Sequence, residues 1–214
     1  EPDHERNQDR FISLAQGFAM GMLPYAGGGA AALIDIGGND TYTADIFGQG
    51  VSYWYSAGFL LDVAGHDTYR VYQYGQGTGI HLSLGLLADG SGNDTYTGSI
   101  LTQGSAHDFA VGMLVDRAGN DFYTALRDSQ GHAMNNALGI LVDSSGDDGY
   151  FALESDRCQG TGNECGYRDY GSLGLLVDLA GTDRYTSGAT DGARLPRPLY
   201  GIIYDLKETT NAHE

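Results

Sequence analysis

The sequence predicts an all-β fold, a parallel β-solenoid of about six coils of 27 residues, on three observations. Asp35, Asp62, Asp89, Asp116 and Asp143 stand 27 residues apart, Asp178 follows after 35, and Asp205 after another 27. Other residue types keep step with these aspartates, so the interval is a structural unit and not a compositional accident. The segments between Gly and Asp punctuation are about five residues long and lack helical period, which favours short strands joined by tight turns.

A unit that cannot bury its own apolar face is stabilised by stacking on its neighbours, and parallel strands about 4.8 Å apart align equal positions into ladders. Six coils make a rod roughly 30 Å tall at that spacing. Twenty-seven residues accommodate three strands and three corners, so a right-handed, three-faced β-helix is expected in preference to a flattened roll.

The columns can be taken in order along one coil. A Gly column (Gly58, Gly85, Gly112, Gly139, Gly174, Gly201) precedes a Leu column (Leu33, Leu60, Leu87, Leu114, Leu141, Leu176), which Ile203 closes. The first Asp column follows, then a second at Asp40, Asp67, Asp94, Asp121, Asp148 and Asp183, each with a Tyr two residues later. That Tyr column (Tyr42, Tyr69, Tyr96, Tyr123, Tyr150, Tyr185) is expected to form a stacked spine. Gln-Gly pairs begin at Gln16, Gln49, Gln76, Gln103, Gln130 and Gln159, and the Gln side chains are expected to bond to one another as an amide ladder.

Residues 1–15 are expected to be an N-terminal cap or linker, 16–205 a single solenoid domain and 206–214 a C-terminal tail. The segment from Arg194, with Pro196 and Pro198, lacks the repeat and is expected to cover an open sheet edge. Gln16 to Asp35 and Gln159 to Asp178 are 19 residues where the other units have 13, so one corner carries a six-residue insertion at each end of the stack. The second insertion holds Cys158 and Cys165, expected as a disulfide and hence as a sign of an extracytoplasmic location. The first residue is Glu1, and a processed or partial chain is expected.

Charge narrows the partners. With 28 acidic against 11 basic residues the net charge is −17, whereas nucleic acid and anionic membrane surfaces are bound by clustered Lys and Arg. No apolar run approaches the roughly 18 residues that span a bilayer, so no membrane insertion is expected. Cations and neutral polymers remain.

Thirteen aspartates fall in the two columns, and carboxylates stacked about 4.8 Å apart repel by roughly 1 kcal/mol per pair even in water. Either each Asp side chain accepts hydrogen bonds from backbone N–H groups within its own turn, or cations lie between the coils. The corner strings GGND at Gly37–Asp40 and GSGND at Gly90–Asp94, each followed by Thr-Tyr, resemble the glycine- and aspartate-rich calcium repeats of RTX proteins. The resemblance covers about seven residues per coil and implies calcium bound by Asp40, Asp67, Asp94, Asp121, Asp148 and Asp183, with Asp35, Asp62, Asp89, Asp116, Asp143 and Asp178 alongside. Here one such turn occurs per 27 residues, where that family repeats every nine.

The strand before the first Asp column is apolar on both faces: Phe59 and Leu61 flank Leu60, and Met113 and Val115 flank Leu114. Its outer face is expected to meet a second copy or another protein. Chemistry is sought where identity stops repeating. Five residues after each Gln stand Trp54, His81, Asp108 and Asn135, with Tyr53, Tyr55, His107 and Asn136 beside them. His81, His107 and Asp108 are the candidate catalytic or metal-ligating groups, with His132 on the next coil as a further imidazole. Tyr53, Trp54, Tyr55, Asn135 and Asn136 are the candidate binding residues for a polysaccharide. The sequence thus predicts a calcium-stabilised structural or assembly solenoid, with a polysaccharide-active enzyme or glycan binder as the alternative.

Overall fold

The structure is a computed structural model that describes residues 10–162 and 171–207. The chain winds through three parallel sheets, one on each face, as a β-solenoid of about six turns. The Leu sheet contains Gly29–Ile34, Ser56–Leu61, Leu84–Ala88, Val111–Asp116, Leu138–Asp143, Leu173–Asp178 and Gly201–Asp205, in that spatial order. The Tyr sheet runs from Thr41–Gly48 to Arg184–Tyr185, and a third sheet is built of two-residue strands from Ala19–Met20 to Ala133–Met134. Register is strict: Leu60 pairs with Leu87, Leu87 with Leu114, and Leu114 with Leu141.

Alternation along each strand decides what is buried. Leu60, Leu87, Leu114, Leu141, Leu176 and Ile203 point inward and meet the inward Tyr column across the coil, forming one continuous core. Adjacent Tyr rings lie 4.7 to 4.9 Å apart and within 7° of parallel. The outward row of the Leu sheet, Phe59, Leu86, Met113, Ile140, Leu175 and Ile202, is only partly covered.

The Gln-Gly pair makes the corner between the Tyr sheet and the third sheet. Gly77 has φ +76, and a Cβ there would overlap the carbonyl oxygen of Met113, so only glycine fits. The expected Gln amide ladder is not what forms. Gln76 itself has φ +53, which sends its Nε2 to the carbonyls of Tyr69 on its own coil and Thr97 on the next, at 3.1 and 3.2 Å. The same bridge recurs at Gln49, Gln103 and Gln130, so each amide ties backbone to backbone and none bonds to the next amide.

At the C-terminal end, Arg194–Arg197 runs antiparallel to Gly201–Asp205 and covers that edge of the Leu sheet. At the other end, Phe11 to Ala15 bonds along the first strand of the Tyr sheet, with Ser13 N donating to Ile46 O at 2.8 Å.

Candidate functional site

Two corners of the coil hold the titratable groups. At the first, the hydroxyl of each Tyr donates to the first-column Asp of the following coil: Tyr69 to Asp89 Oδ2 at 2.6 Å, Tyr96 to Asp116 at 2.7 Å, Tyr123 to Asp143 at 2.7 Å. The other oxygen of each first-column Asp from Asp35 to Asp178 closes an Asx turn, as when Ser91 N donates to Asp89 Oδ1 at 3.1 Å, whereas Asp205 Oδ1 accepts from Gly192 N. The second column works between coils, the N–H of Asp67 donating to Asp94 Oδ1 and that of Asp94 to Asp121 Oδ1, both at 2.6 Å. One oxygen per coil is left over: Oδ2 of Asp67, Asp94, Asp121, Asp148 and Asp183 is buried without a hydrogen-bond partner.

These leftover oxygens sit among other carboxylates. Asp62, Asp67 and Asp89 each bring one ligand atom within 4.8 Å of the others, as do Asp35, Asp40 and Asp62; Asp89, Asp94 and Asp116; and Asp116, Asp121 and Asp143. Burial, then the charge of neighbouring carboxylates, pushes Asp94 up to about 8, against the pull of the Asp67 N–H. Asp89 is pushed up to about 6 by burial, and Asp121, Asp143, Asp148 and Asp178 rise for the same first reason. From Asp89 onward, burial of these carboxylates favours a bound proton over a bare charge. Clustered hard oxygen donors, one of them orphaned and buried, suit calcium.

At the second corner the chain turns with two successive residues in the left-handed region: Trp54 and Tyr55, His81 and Leu82, Asp108 and Phe109, Asn135 and Asn136. The first residue of each pair is the more covered, Asp108 and Asn135 being buried, and the second, Tyr55, Leu82, Phe109 or Asn136, is exposed at the edge. His81 Nδ1 and His107 Nδ1 both approach Asp108 Oδ2, at 2.9 and 3.2 Å, while Asn135 Nδ2 donates to Asp108 Oδ1 at 2.9 Å. Burial opposes the charge on Asp108, but the His107 hydrogen bond and the two imidazoles hold its carboxyl down at about 2. Tyr53 meets the His81 ring edge-on at 5.1 Å, and His107 meets it nearly perpendicular at 5.0 Å. A cleft of about 390 Å³ is lined by Tyr53, Trp54, His81, Leu82, Asp108 and Phe109, with Leu23 from the first insertion at its side.

The structure brings Tyr53, Trp54, His81, His107, Asp108 and Asn135 together, with Tyr55 packed edge-on against Trp54 at 5.0 Å, while Asn136 stands outside the cleft lining. Tyr55 and Asn136 are both exposed, on a ridge shared with Leu82 and Phe109, which also edge the cleft. His132 faces the interior, its Nδ1 2.7 Å from Thr161 Oγ1, and burial lowers its pKa to about 3. A neighbouring cleft of about 650 Å³ adds residues that the repeat did not single out. There Asp128, buried, pairs with Arg157 at 2.7 Å and Arg127 at 3.4 Å. Asp128 occupies the column of Phe47, Tyr74 and Leu101, where its charge was the available signal. Cys158 is buried, and the expected disulfide involves Cys165, which lies outside the described residues. No protein-family model, no curated protein and no solved structure matches the chain, so its functional reading rests on this geometry.

Proposed function

We propose that the chain is a calcium-stabilised structural solenoid that pairs with a second copy of itself through the outer face of the Leu sheet. One observation carries the pairing. Across seven strands, every outward position from Ala30 to Tyr204 is apolar or aromatic, and none is charged. A soluble antiparallel or parallel sheet that faced water on this side would alternate polar residues there. Seven strands about 4.8 Å apart, with three outward residues each, give about 600 Å² per copy, so two copies meet over about 1,200 Å², the lower edge of specific interfaces. A flat face is also self-complementary under a two-fold axis, which is the commonest symmetry of soluble oligomers.

The calcium part rests on the orphaned Oδ2 atoms of Asp67, Asp94, Asp121, Asp148 and Asp183. It fits an extracytoplasmic setting, where millimolar calcium fills weak oxygen sites. Sedimentation velocity at micromolar protein tests the pairing. A dimer is expected that Val115→Lys dissociates without loss of strand signal; a monomer for the parent chain in calcium overturns the reading. Calorimetry of chelator-stripped protein tests the ion, with heat and a raised Tm expected on adding calcium.

A second reading is favoured by the cleft itself. Tyr53 and Trp54 beside the His81–Asp108 pair form an aromatic and polar wall suited to a sugar ring, as a glycan binder or polysaccharide-active enzyme would use. Quenching of Trp54 by oligosaccharides, with or without released product, separates those two.

A further inference from the structure

We propose that His81, His107 and Asp108 form a divalent transition-metal site, of the zinc type, in the wall of the cleft, separate from the oxygen ladder. The three residues come from two adjacent coils and place their ligand atoms within 4.8 Å of one another. Both imidazoles use Nδ1, and both converge on the same carboxylate oxygen, Asp108 Oδ2, at 2.9 and 3.2 Å. Ligands around a small divalent ion at about 2.1 Å stand roughly this far apart, so binding needs little rearrangement.

The donor set decides the ion. Two nitrogens and one carboxylate oxygen are borderline donors that suit zinc, cobalt or iron, whereas calcium takes oxygens. Three protein ligands leave a coordination position open, and the cleft lined by Trp54, Leu82 and Phe109 provides space for water or an anion in it. Supporting groups hold the ligands in place. Asn135 fixes Asp108 through Oδ1 and so leaves Oδ2 aimed at the imidazoles, which is how outer partners orient a ligating carboxylate. Tyr53 and Trp54 pack edge-on against the His81 ring, at 5.1 and 6.2 Å, and limit its rotation.

The test uses the whole chain, stripped with chelator and returned to millimolar calcium so that the oxygen ladder stays filled. Cobalt(II) is titrated and followed by visible absorption, then displaced with zinc. The expected result is one cobalt per chain, with the intense bands of four- or five-coordinate cobalt, displaced by one equivalent of zinc. His81→Ala is expected to weaken binding about 100-fold, and Asn135→Ala, which acts through Asp108, about 10-fold. His81 is partly exposed, so its variant should keep the far-ultraviolet spectrum of the parent. A weak, six-coordinate cobalt spectrum in the parent chain, or unchanged affinity in a folded His81→Ala variant, overturns the site. Neither outcome depends on whether the chain is a dimer.

Discussion

The Tyr–Asp corner and the cleft corner are built on the same coil and obey opposite rules. At the first, the residues are the same in every coil, and each side chain is spent on its neighbours: Tyr hydroxyl to Asp, Asp to backbone N–H. At the second, the backbone repeats while the side chains change from Trp54 to His81 to Asp108 to Asn135. Repetition of side chains marks what the stack needs, and repetition of backbone with varied side chains marks where the stack is only a support. A substitution should therefore cost stability at one corner and chemistry at the other.

The largest expected effect breaks the spine. Tyr96 is fully buried between Tyr69 and Tyr123 and donates to Asp116, so Tyr96→Ala leaves a ring-sized cavity and an unpaired carboxylate. A loss of about 4 kcal/mol in denaturant unfolding is expected, against less than about 1 kcal/mol for His81→Ala. Equal losses at both positions would remove the distinction between the corners.

Proton and cation compete at the first corner, which gives a pH dependence of defined sign. Asp94 is raised to about 8 and Asp89 to about 6 by burial, while the unfolded chain loses these protons near about 4. Between those values the folded state holds more protons, so these groups stabilise chelated protein fully below about 4, and that stability is lost as pH rises from about 4 through the folded values of about 6 and about 8. Saturating calcium should flatten that fall, because a bound cation keeps the carboxylates ionised in the folded state. Thermal melts across this range, with and without calcium, check both halves.

The smallest effect sharpens the comparison from the other side. Leu82 holds φ +58 on the exposed ridge, so Leu82→Gly should relieve strain and leave Tm unchanged or raise stability by about 0.5 kcal/mol. The same change at a spine position such as Tyr123 would be severe.

Strand register, the inward Leu and Tyr rows and the three faces were legible because each depends on one spacing, and parallel stacking converts spacing directly into contact. The meeting of His81 with Asp108 was legible for the same reason. Gln76 defied the expected ladder because its left-handed backbone turns the amide toward two carbonyls, and sequence spacing carries no sign of φ. Tyr55 and Asn136 stand one residue from the cleft column yet are exposed, a difference that spacing does not encode. Arg157 reaches Asp128 from a 3₁₀ turn at Ser155–Arg157 that belongs to no repeat position. The outer polar ladder shows the reverse case. Asn39, His66, Asn93, Asn120 and Asp147 differ in type, yet each accepts the N–H of the following coil at 2.8 to 2.9 Å.

The column of phenol rings also makes the molecule its own spectroscopic instrument. Six chromophores held face to face share their excitation, so the near-ultraviolet dichroism of the folded chain belongs to the pile as a whole and collapses when any layer slips. Trp54 is the sole indole and sits at the cleft, so its emission at longer wavelength reports occupancy there on a separate optical channel.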